Sequence, residues 1–482
     1  MYAGTNLGSL GGTSGGSSSS ASGGVRRTLG SLSSGISASL LYGTSAEEKV
    51  VLDIGSYTLR AGFSGDSSPL HTTELFGKFT IVGPTKRLAG RSRGLFDNRI
   101  GSDEVLEALL LEQVREVYRR HLLIDSKSRK VAVVEGALLP VQVKRALARV
   151  LMGNLRVPQV TFYPSSVVAL MTCGAMAGLV VDCGHRSTTV MPVYDCRPLT
   201  TYMVSTPMGG NTLFKNLREL LLRFGRFRPF GANEAGSIAV DDDVLGDEIV
   251  HLLKTKLLYA SPVGIPQSFG RPPTELGVGL VGDDLVGWFE SSMTASSEFT
   301  RMTVDSSKHG RGVLEFPSWI RERAAEVLFA GDATQDHQGI VESLARCIER
   351  APVDTRRALV SKILVVGGVA DMPNLRVRLL HDLVSRLRQN PKWSALADIA
   401  ALAEERNGSE SHSSSVNSSK SNISKGRSAG SEPSPSAANG TAFASSNRCW
   451  IGASLAAAAK IGGTDIKAED FDGVNLPDWT IQ

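Results

Sequence analysis

The sequence predicts an α/β protein built from two similar lobes that face each other. Apolar strand-like segments alternate with helix-like segments along most of the chain; "KVAVVEGALLP" indicates a buried strand, and a helical pattern follows from Val141 to Met152. A strand, a glycine turn and a second strand occur around Asp53, in "KVVLDIGSYTLRAGFSGD", and again around Asp182, in "GLVVDCGHRSTTVMPVYD". Because this unit occurs twice, we expect two related halves.

Composition and charge indicate a globular protein with low-complexity appendages. The 482 residues suffice for one large core or for two to three smaller ones. The formal net charge of +4, from 52 basic and 48 acidic residues, is too small to indicate a nucleic-acid-binding surface. None of the five cysteines lies in a CxxC pair, and no apolar run approaches the ~20 residues of a membrane helix. We therefore expect a soluble protein of a reducing compartment, without membrane insertion.

Two tracts rich in Gly, Ser and Asn interrupt the alternating pattern. Residues 1–46 hold too little apolar surface to offset the entropy of ordering, so we expect a disordered tail. A transit peptide is the alternative, because Arg26 and Arg27 lie in a Ser-rich, acid-poor stretch, although the glycines weaken its amphipathic face. Residues 404–447 lie between two structured segments and predict a disordered surface insertion, which costs little loop-closure entropy.

Three glycine turns, each following an apolar strand, predict a nucleotide cleft. Turns of this kind let the backbone approach an anion, and their amides form a positive nest for phosphate. A carboxylate at each of the first two turns could hold a metal through water, and the third turn, after "ILVV", could lie flat against a base or ribose. One such turn is also common in plain β-hairpins, whereas three in this order are specific. The candidate nucleotide-binding residues are Asp53, Gly55, Ser56, Arg60, Asp182, Gly184, Gly367 and Gly368.

These segments resemble the actin-fold ATPases, in the actin-related branch. "VLDIGSYTLRAGFSGD" is similar to the first phosphate loop of that family, "LVVDCGHRSTTVMPVYD" to the second, "VDTRRALVSKILVVGGVADMPN" to the adenosine-side segment, and "WIGASLA" to the carboxy-terminal "WIGGS" signature. The resemblance covers most of residues 47–403 and 449–482. It implies an actin-like fold, with two α/β lobes around a cleft for ATP or ADP with magnesium.

The resemblance also divides the chain into domains. It places a first lobe at 47–172, a second lobe at 173–403 and a return to the first lobe at 448–482. The second subdomain, about 70–100, is shorter than in actin, and the fourth carries an irregular insertion at about 260–312.

The residues that depart from the family pattern are those associated with hydrolysis. His185 stands where the family has an Asp that helps to organise the water shell of the metal, and Arg186 and Tyr57 replace glycines. Ser165 stands where actin has the Gln that positions the attacking water, and Thr189 stands where actin has a His. Because positioning that water is most of what such a site contributes, we expect a pseudo-ATPase with no catalytic residue and no assigned metal ligand.

Two states of the cleft remain open at this point. The cleft could hold ATP or ADP with magnesium. It could instead be empty, with Arg60 or Arg186 neutralising Asp53 and Asp182 in place of a metal.

Within the family, four segments are most similar to the dynactin pointed-end actin-related proteins, of the ten or eleven type. They are "YRRHLLIDSKSRKVAVVEGALLP", "VDCGHRSTTVMPVYD", "APVDTRR" and "LPDWT". The resemblance implies a structural subunit of the cytoplasm and cytoskeleton that caps the dynactin filament. Its partners would be the filament-forming actin-related protein, the pointed-end dynactin subunits and, indirectly, dynein, with no nucleic acid. The shortened second subdomain agrees with capping, or is loop trimming without functional meaning. The alternatives are an active actin-fold ATPase and a nuclear actin-related protein of a chromatin-remodelling complex.

Overall fold

Two mixed β-sheets lie at the centres of the two halves of the described chain. The computed structural model describes residues 48–75, 77–82, 87–92, 103–231, 236–261, 299–306, 308–332, 335–409 and 443–477. All of these residues belong to one unit, Thr44–Gln482. The predicted tail, residues 1–46, lies outside the described residues.

The elements alternate as the sequence predicts. The first part contains β1 (Val50–Ile54), β2 (Thr58–Phe63), β3 (His71–Glu74), β4 (Gly77–Val82), β5 (Arg87–Ser92), α1 (Asp103–Glu116), β6 (Val131–Glu135), α2 (Val141–Ala148), β7 (Gln159–Pro164) and α3 (Ser165–Met171). Single π-helical segments, Val117–Leu122 and Arg149–Asn154, extend α1 and α2.

The second part of the chain contains most of the helices. Its elements are β8 (Gly178–Cys183), β9 (Thr188–Tyr194), β10 (Arg197–Pro198), β11 (Val204–Thr206), α4 (Gly210–Phe224), β12 (Arg226–Pro229), β13 (Ile238–Ala239), α5 (Asp247–Leu257), β14 (Phe299–Ser306), β15 (Gly310–Pro317), α6 (Ile320–Ala330), α7 (Ile340–Arg350), α8 (Val353–Val360), β16 (Ile363–Val366), α9 (Leu375–Arg388) and α10 (Ser394–Ser409). The carboxy-terminal part adds α11 (Arg448–Ala458) and β17 (Thr464–Lys467).

The two main sheets repeat one strand arrangement. In the first sheet, ordered β17-β7-β6-β1-β2-β3, strand β1 pairs antiparallel with β2 and parallel with β6. In the second, which contains β10-β9-β8-β16, strand β8 pairs antiparallel with β9 and parallel with β16. The internal strands β1, β6 and β8 are short apolar runs with several valines, as expected for strands covered on both faces. The predicted repeat of two similar α/β halves is therefore confirmed.

A shared apolar core beneath the two sheets holds their central strands together. Trp450 of α11 is fully buried, and its Nε1–H donates to the carbonyl of Val51 in β1 at 3.1 Å. The same core contains Val180 of β8. Helix α11 packs so closely on α3 that a Cβ added to Gly452 would lie 1.9 Å from the Val168 carbonyl oxygen. This core fixes where β1 and β8 end, and so where the turns after them lie.

Two predicted irregular regions contain regular structure within their described parts. Of the insertion predicted at about 260–312, residues 262–298 lie outside the described residues, but β14 pairs along its whole length with β15. Val304 and Leu314 of this hairpin are buried in the second core, which explains why the segment is regular. The tract predicted at 404–447 starts too early and ends too late, since α10 continues to Ser409 and a 3₁₀ turn is present at Ser445–Asn447; residues 410–442 lie outside the described residues.

In its described residues, the predicted short second subdomain, about 70–100, has three strands. β3 extends the first sheet, and β4 and β5 form a separate two-stranded sheet. Residues 76, 83–86 and 93–102 lie outside the described residues. None of the helices in the described ranges has the length and apolar content that crossing a membrane requires.

Candidate nucleotide site

A cavity of about 800 Å³ lies where the turn after β1, the turn after β8 and the turn after β16 meet. Cavities of roughly 300–1,000 Å³ are typical of small-molecule and cofactor sites. All eight candidate residues from the sequence line this cavity: Asp53, Gly55, Ser56, Arg60, Asp182, Gly184, Gly367 and Gly368. Residues up to 315 positions apart in the sequence, Asp53 and Gly368, are thus brought to one place by the shared core.

The first two turns have the same local geometry. The Gly55 N–H donates to the Thr58 carbonyl at 2.9 Å, and the Gly184 N–H donates to the Ser187 carbonyl at 3.0 Å. Each hydrogen bond closes a tight turn between two antiparallel strands. The turns are therefore structural twins, as the sequence predicts.

The third turn requires glycine at its first position. Gly367 has φ +95°, and a Cβ at this position would lie 2.5 Å from Asp182 Oδ1 and 2.6 Å from the Cys183 carbonyl oxygen. A side chain here would collide with the second turn, which is why the backbone can approach it so closely.

Asp53 and Arg60 form an ion pair on the floor of the cavity. They face each other across β1 and β2, and Arg60 Nη1 lies 3.2 Å from Asp53 Oδ2. Arg60 is 8% exposed, and its Nε also donates to Asn447 Oδ1 at 3.0 Å. Burial raises the pKa of Asp53, and the charge and hydrogen bond of Arg60 oppose that rise.

Asp182 is the second carboxylate of the floor. Burial, together with the negative charge of Asp53, raises the pKa of Asp182 to about 6, although Arg60 acts in the opposite direction. Cys449 also lines the cavity, and burial followed by the charges of both carboxylates raises the pKa of its thiol well above the usual value. The thiol therefore stays protonated and is a poor nucleophile.

A second cluster spans the cavity, and we call it the cleft clasp: Tyr57, Glu74, His185, His251 and Lys254. The ring centroid of Tyr57 lies 4.6 Å from that of His185 and 4.6 Å from that of His251. Tyr57 Oη donates to Glu74 Oε2 at 3.2 Å, and Glu74 Oε1 lies 3.2 Å from His251 Nε2. Lys254 Nζ lies 5.4 Å from the centre of the Tyr57 ring. The clasp thus joins the first turn and β3 to the second turn and α5.

Sequence reasoning identified Tyr57 and His185 as departures from the family pattern but missed the other three members of the clasp. Glu74 and His251 are 177 positions apart, and no local motif marks either of them. The sequence signal that could have pointed to His251 and Lys254 is their spacing of three residues in α5, which places both on one helix face.

Burial controls the charges within the clasp. Burial, followed by the nearby positive charge of Lys254, lowers the pKa of His185 to about 3, so this imidazole is neutral at physiological pH. Burial also lowers the pKa of Lys254 to about 8, against the opposing charge of Glu74. Near neutral pH, Lys254 is therefore mostly cationic.

Ser165 and Thr189 also line the cavity, as the resemblance implies for residues in place of the water-positioning groups. Ser165 begins α3 and is buried. Its hydroxyl is one bond from Cβ, whereas a Gln side chain would carry its amide two carbons further into the cavity.

The residues of the cavity fit a nucleotide better than they fit its magnesium ion. The glycines of the three turns leave the floor of the cavity open, and Lys254 lines the same cavity, which suits a phosphorylated ligand. Mg²⁺ prefers near-octahedral oxygen ligands, including carboxylates and water. Here the Asp53 carboxylate is already paired with Arg60, and a neutral imidazole, His185, occupies the position of the second-loop acid.

We expect replacement of Asp182 by Asn to stabilise the nucleotide-free protein at pH 7.5. A raised pKa means that the carboxyl contributes most to stability below about pH 4 and that this contribution is lost as the pH rises through about 6. Asp182→Asn should therefore increase the free energy of unfolding by about 1–2 kcal/mol at pH 7.5, with little difference near pH 4. Urea unfolding at both pH values measures this, with Asp470→Asn as an exposed control that removes the same charge. Equal effects of Asp182→Asn at the two pH values would contradict the account.

Comparison with known proteins agrees with this geometry. The sequence pattern of the actin family matches residues 44–229 and 300–423, which include all three turns and more than half of the chain. Actin-related protein 4 of Arabidopsis thaliana is 24% identical over 412 residues, covering 74% of this chain and 89% of its own length. Centractin of Saccharomyces cerevisiae is 22% identical over 377 residues, with 73% and 86% covered. Actin-like protein 9 of Homo sapiens is 31% identical over 196 residues, with 36% and 45% covered. With this match and the repeated α/β lobes around one cleft, the chain belongs to the actin family, as an actin-related protein with the actin fold.

Proposed function

We propose that this actin-related protein is a structural subunit, of the ten or eleven type, that caps the pointed end of the dynactin filament and does not use ATP hydrolysis. The observation that carries the structural role is the contact between the two phosphate turns. Tyr57 of the first turn and His185 of the second pack their rings 4.6 Å apart, in place of a glycine and an acid in the family pattern.

Hydrolysis by this fold needs a positioned metal and a positioned water. Asp53 is engaged by Arg60, which leaves this carboxylate poorly available to organise a metal. His185 is neutral, and the short side chains of Ser165 and Thr189 stand where the water-positioning groups would be. Each replacement removes one part of the reaction, so the combination supports a pseudo-ATPase.

Capping is supported by the short second subdomain, at about 70–100. In an actin-like filament this subdomain faces the pointed end, so shortening it removes contact surface for another subunit. The similarity to centractin supports a partner that is itself actin-related. We propose that the other partners are the pointed-end dynactin subunits and, through them, dynein, in the cytoplasm and cytoskeleton.

A nuclear role in a chromatin-remodelling complex is the main alternative. The similarity to actin-related protein 4 is of the same order as the similarity to centractin, at 24% and 22% identity. The two similarities therefore do not discriminate, and the four segments that resemble the dynactin type favour the capping role.

We expect affinity purification of the tagged full chain from its own cells to recover a filament-forming actin-related protein together with pointed-end dynactin subunits. Mass spectrometry identifies these proteins, and a tagged unrelated cytoplasmic protein serves as the control. Recovery of chromatin-remodelling subunits without dynactin would replace the capping proposal with the nuclear one.

We expect the purified protein to release phosphate from ATP at least about 100-fold more slowly than filamentous actin, since groups that position water and charge are each worth factors of this size. A fluorescent phosphate sensor measures the release, with buffer and actin run in parallel. Turnover at the rate of actin would contradict the pseudo-ATPase proposal and favour the active enzyme.

A further inference from the structure

The negative charge on the cavity floor is compensated by the chain itself. Arg60 is held in place by two acceptors, Asp53 Oδ2 at 3.2 Å and Asn447 Oδ1 at 3.0 Å. A guanidinium keeps its charge at any physiological pH, so Arg60 is a permanent cation beside Asp53. A divalent ion placed next to this carboxylate would be repelled by Arg60, and the repulsion is stronger in a buried site than in water.

The second turn offers an imidazole where a metal site of this kind needs a hard oxygen ligand. His185 is fixed by its own backbone, since its carbonyl accepts from the Asn211 N–H at 2.6 Å, and by the Tyr57 ring packed against it. The Gly210 N–H donates to the adjacent Gly184 carbonyl at 3.0 Å, which ties the start of α4 to the same turn. This turn therefore cannot easily rearrange to bring another ligand into the position of His185.

Lys254 provides a second cation that faces the cavity. Its ammonium lies near both turns: it is 5.4 Å from the Tyr57 ring centre, and it donates to the Gly210 carbonyl at 3.4 Å. That single long hydrogen bond, the one it makes among the described residues, leaves donors of the ammonium for a ligand. An anion in the cavity would thus meet the ammonium of Lys254.

We propose that the cleft binds its nucleotide without a divalent cation: Arg60 takes the place of the metal beside Asp53, and Lys254 supplies the positive charge that faces the phosphates. The inference rests on the nucleotide occupancy that the fold family implies and goes beyond the capping function. It names the chemical form of the ligand as a metal-free nucleotide, with ADP as the simplest probe.

The test is a calorimetric titration of the full-length, nucleotide-depleted protein with ADP. It is carried out once in excess EDTA and once in excess Mg²⁺. We expect dissociation constants that agree within about threefold, because the chain supplies the compensating charge itself. Binding at least tenfold tighter in Mg²⁺ would overturn the inference and indicate a metal-dependent site. The absence of binding in both buffers would also overturn it, but it would leave the capping proposal intact, because recovery of dynactin subunits does not require a filled cleft.

Variants separate a phosphate-binding role of Lys254 from a purely structural one. Lys254→Met should weaken ADP at least tenfold in both buffers while changing the affinity for adenosine, which has no phosphate, by less than about twofold. Lys256→Met, an exposed lysine two residues further along α5, is the matched control and should leave both ligands unaffected. Equal losses for ADP and adenosine would indicate that Lys254→Met only disturbs the fold of the cleft and would contradict the assignment.

Arg60→Met provides an independent check. Without the guanidinium beside Asp53, the affinity for ADP should depend on Mg²⁺, which the affinity of the native protein should not.

Discussion

Burying two carboxylates near each other requires a nearby positive charge, and this requirement explains much of the cleft. Asp53 and Asp182 lie on the floor of the cavity, close enough for the charge of Asp53 to disfavour ionisation of Asp182. An uncompensated buried charge is strongly destabilising. The chain meets the requirement with Arg60, which lies directly opposite Asp53 on the neighbouring strand and is further fixed by Asn447. Asp53, a carboxylate that would suit a metal ion, is here already paired with a side chain of the same protein.

In the cleft clasp, too, side chains of the protein contact one another across the cavity. Tyr57 packs between His185 and His251. Glu74 accepts a hydrogen bond from the Tyr57 hydroxyl and lies within hydrogen-bond distance of His251. Beneath them the core around Trp450 joins the central strands of both sheets. The two lobes are therefore connected by packed side chains above and below the cavity. This packing supports the proposal that the protein is a fixed structural subunit, as opposed to one that works through a cycle of hydrolysis and release.

Local sequence signals predict the floor of the cleft because each part of it is encoded within a few residues. A valine-rich strand ending in Asp and Gly specifies the strand, the turn and the carboxylate together, and this is why all eight candidate residues line the cavity. The pairing of Arg60 with Asp53 could also be predicted from the sequence, because their spacing around the turn places them opposite each other on β1 and β2. Glu74, His251 and Lys254 were not, because their roles depend on packing between distant segments. The strand Phe299–Ser306 was missed for a related reason: the composition of the preceding Gly/Pro-rich segment obscured the alternating pattern of this strand, whose partner within the described ranges is β15.

The pairing of Arg60 with Asp53 can be checked in a high-resolution structure of the protein purified and kept in magnesium. The account predicts that the Arg60 guanidinium stays within hydrogen-bond distance of Asp53, with no metal ion between the two turns, whether or not a nucleotide is present. A hydrated magnesium ion between Asp53 and Asp182, with Arg60 turned away from the carboxylate, would contradict it.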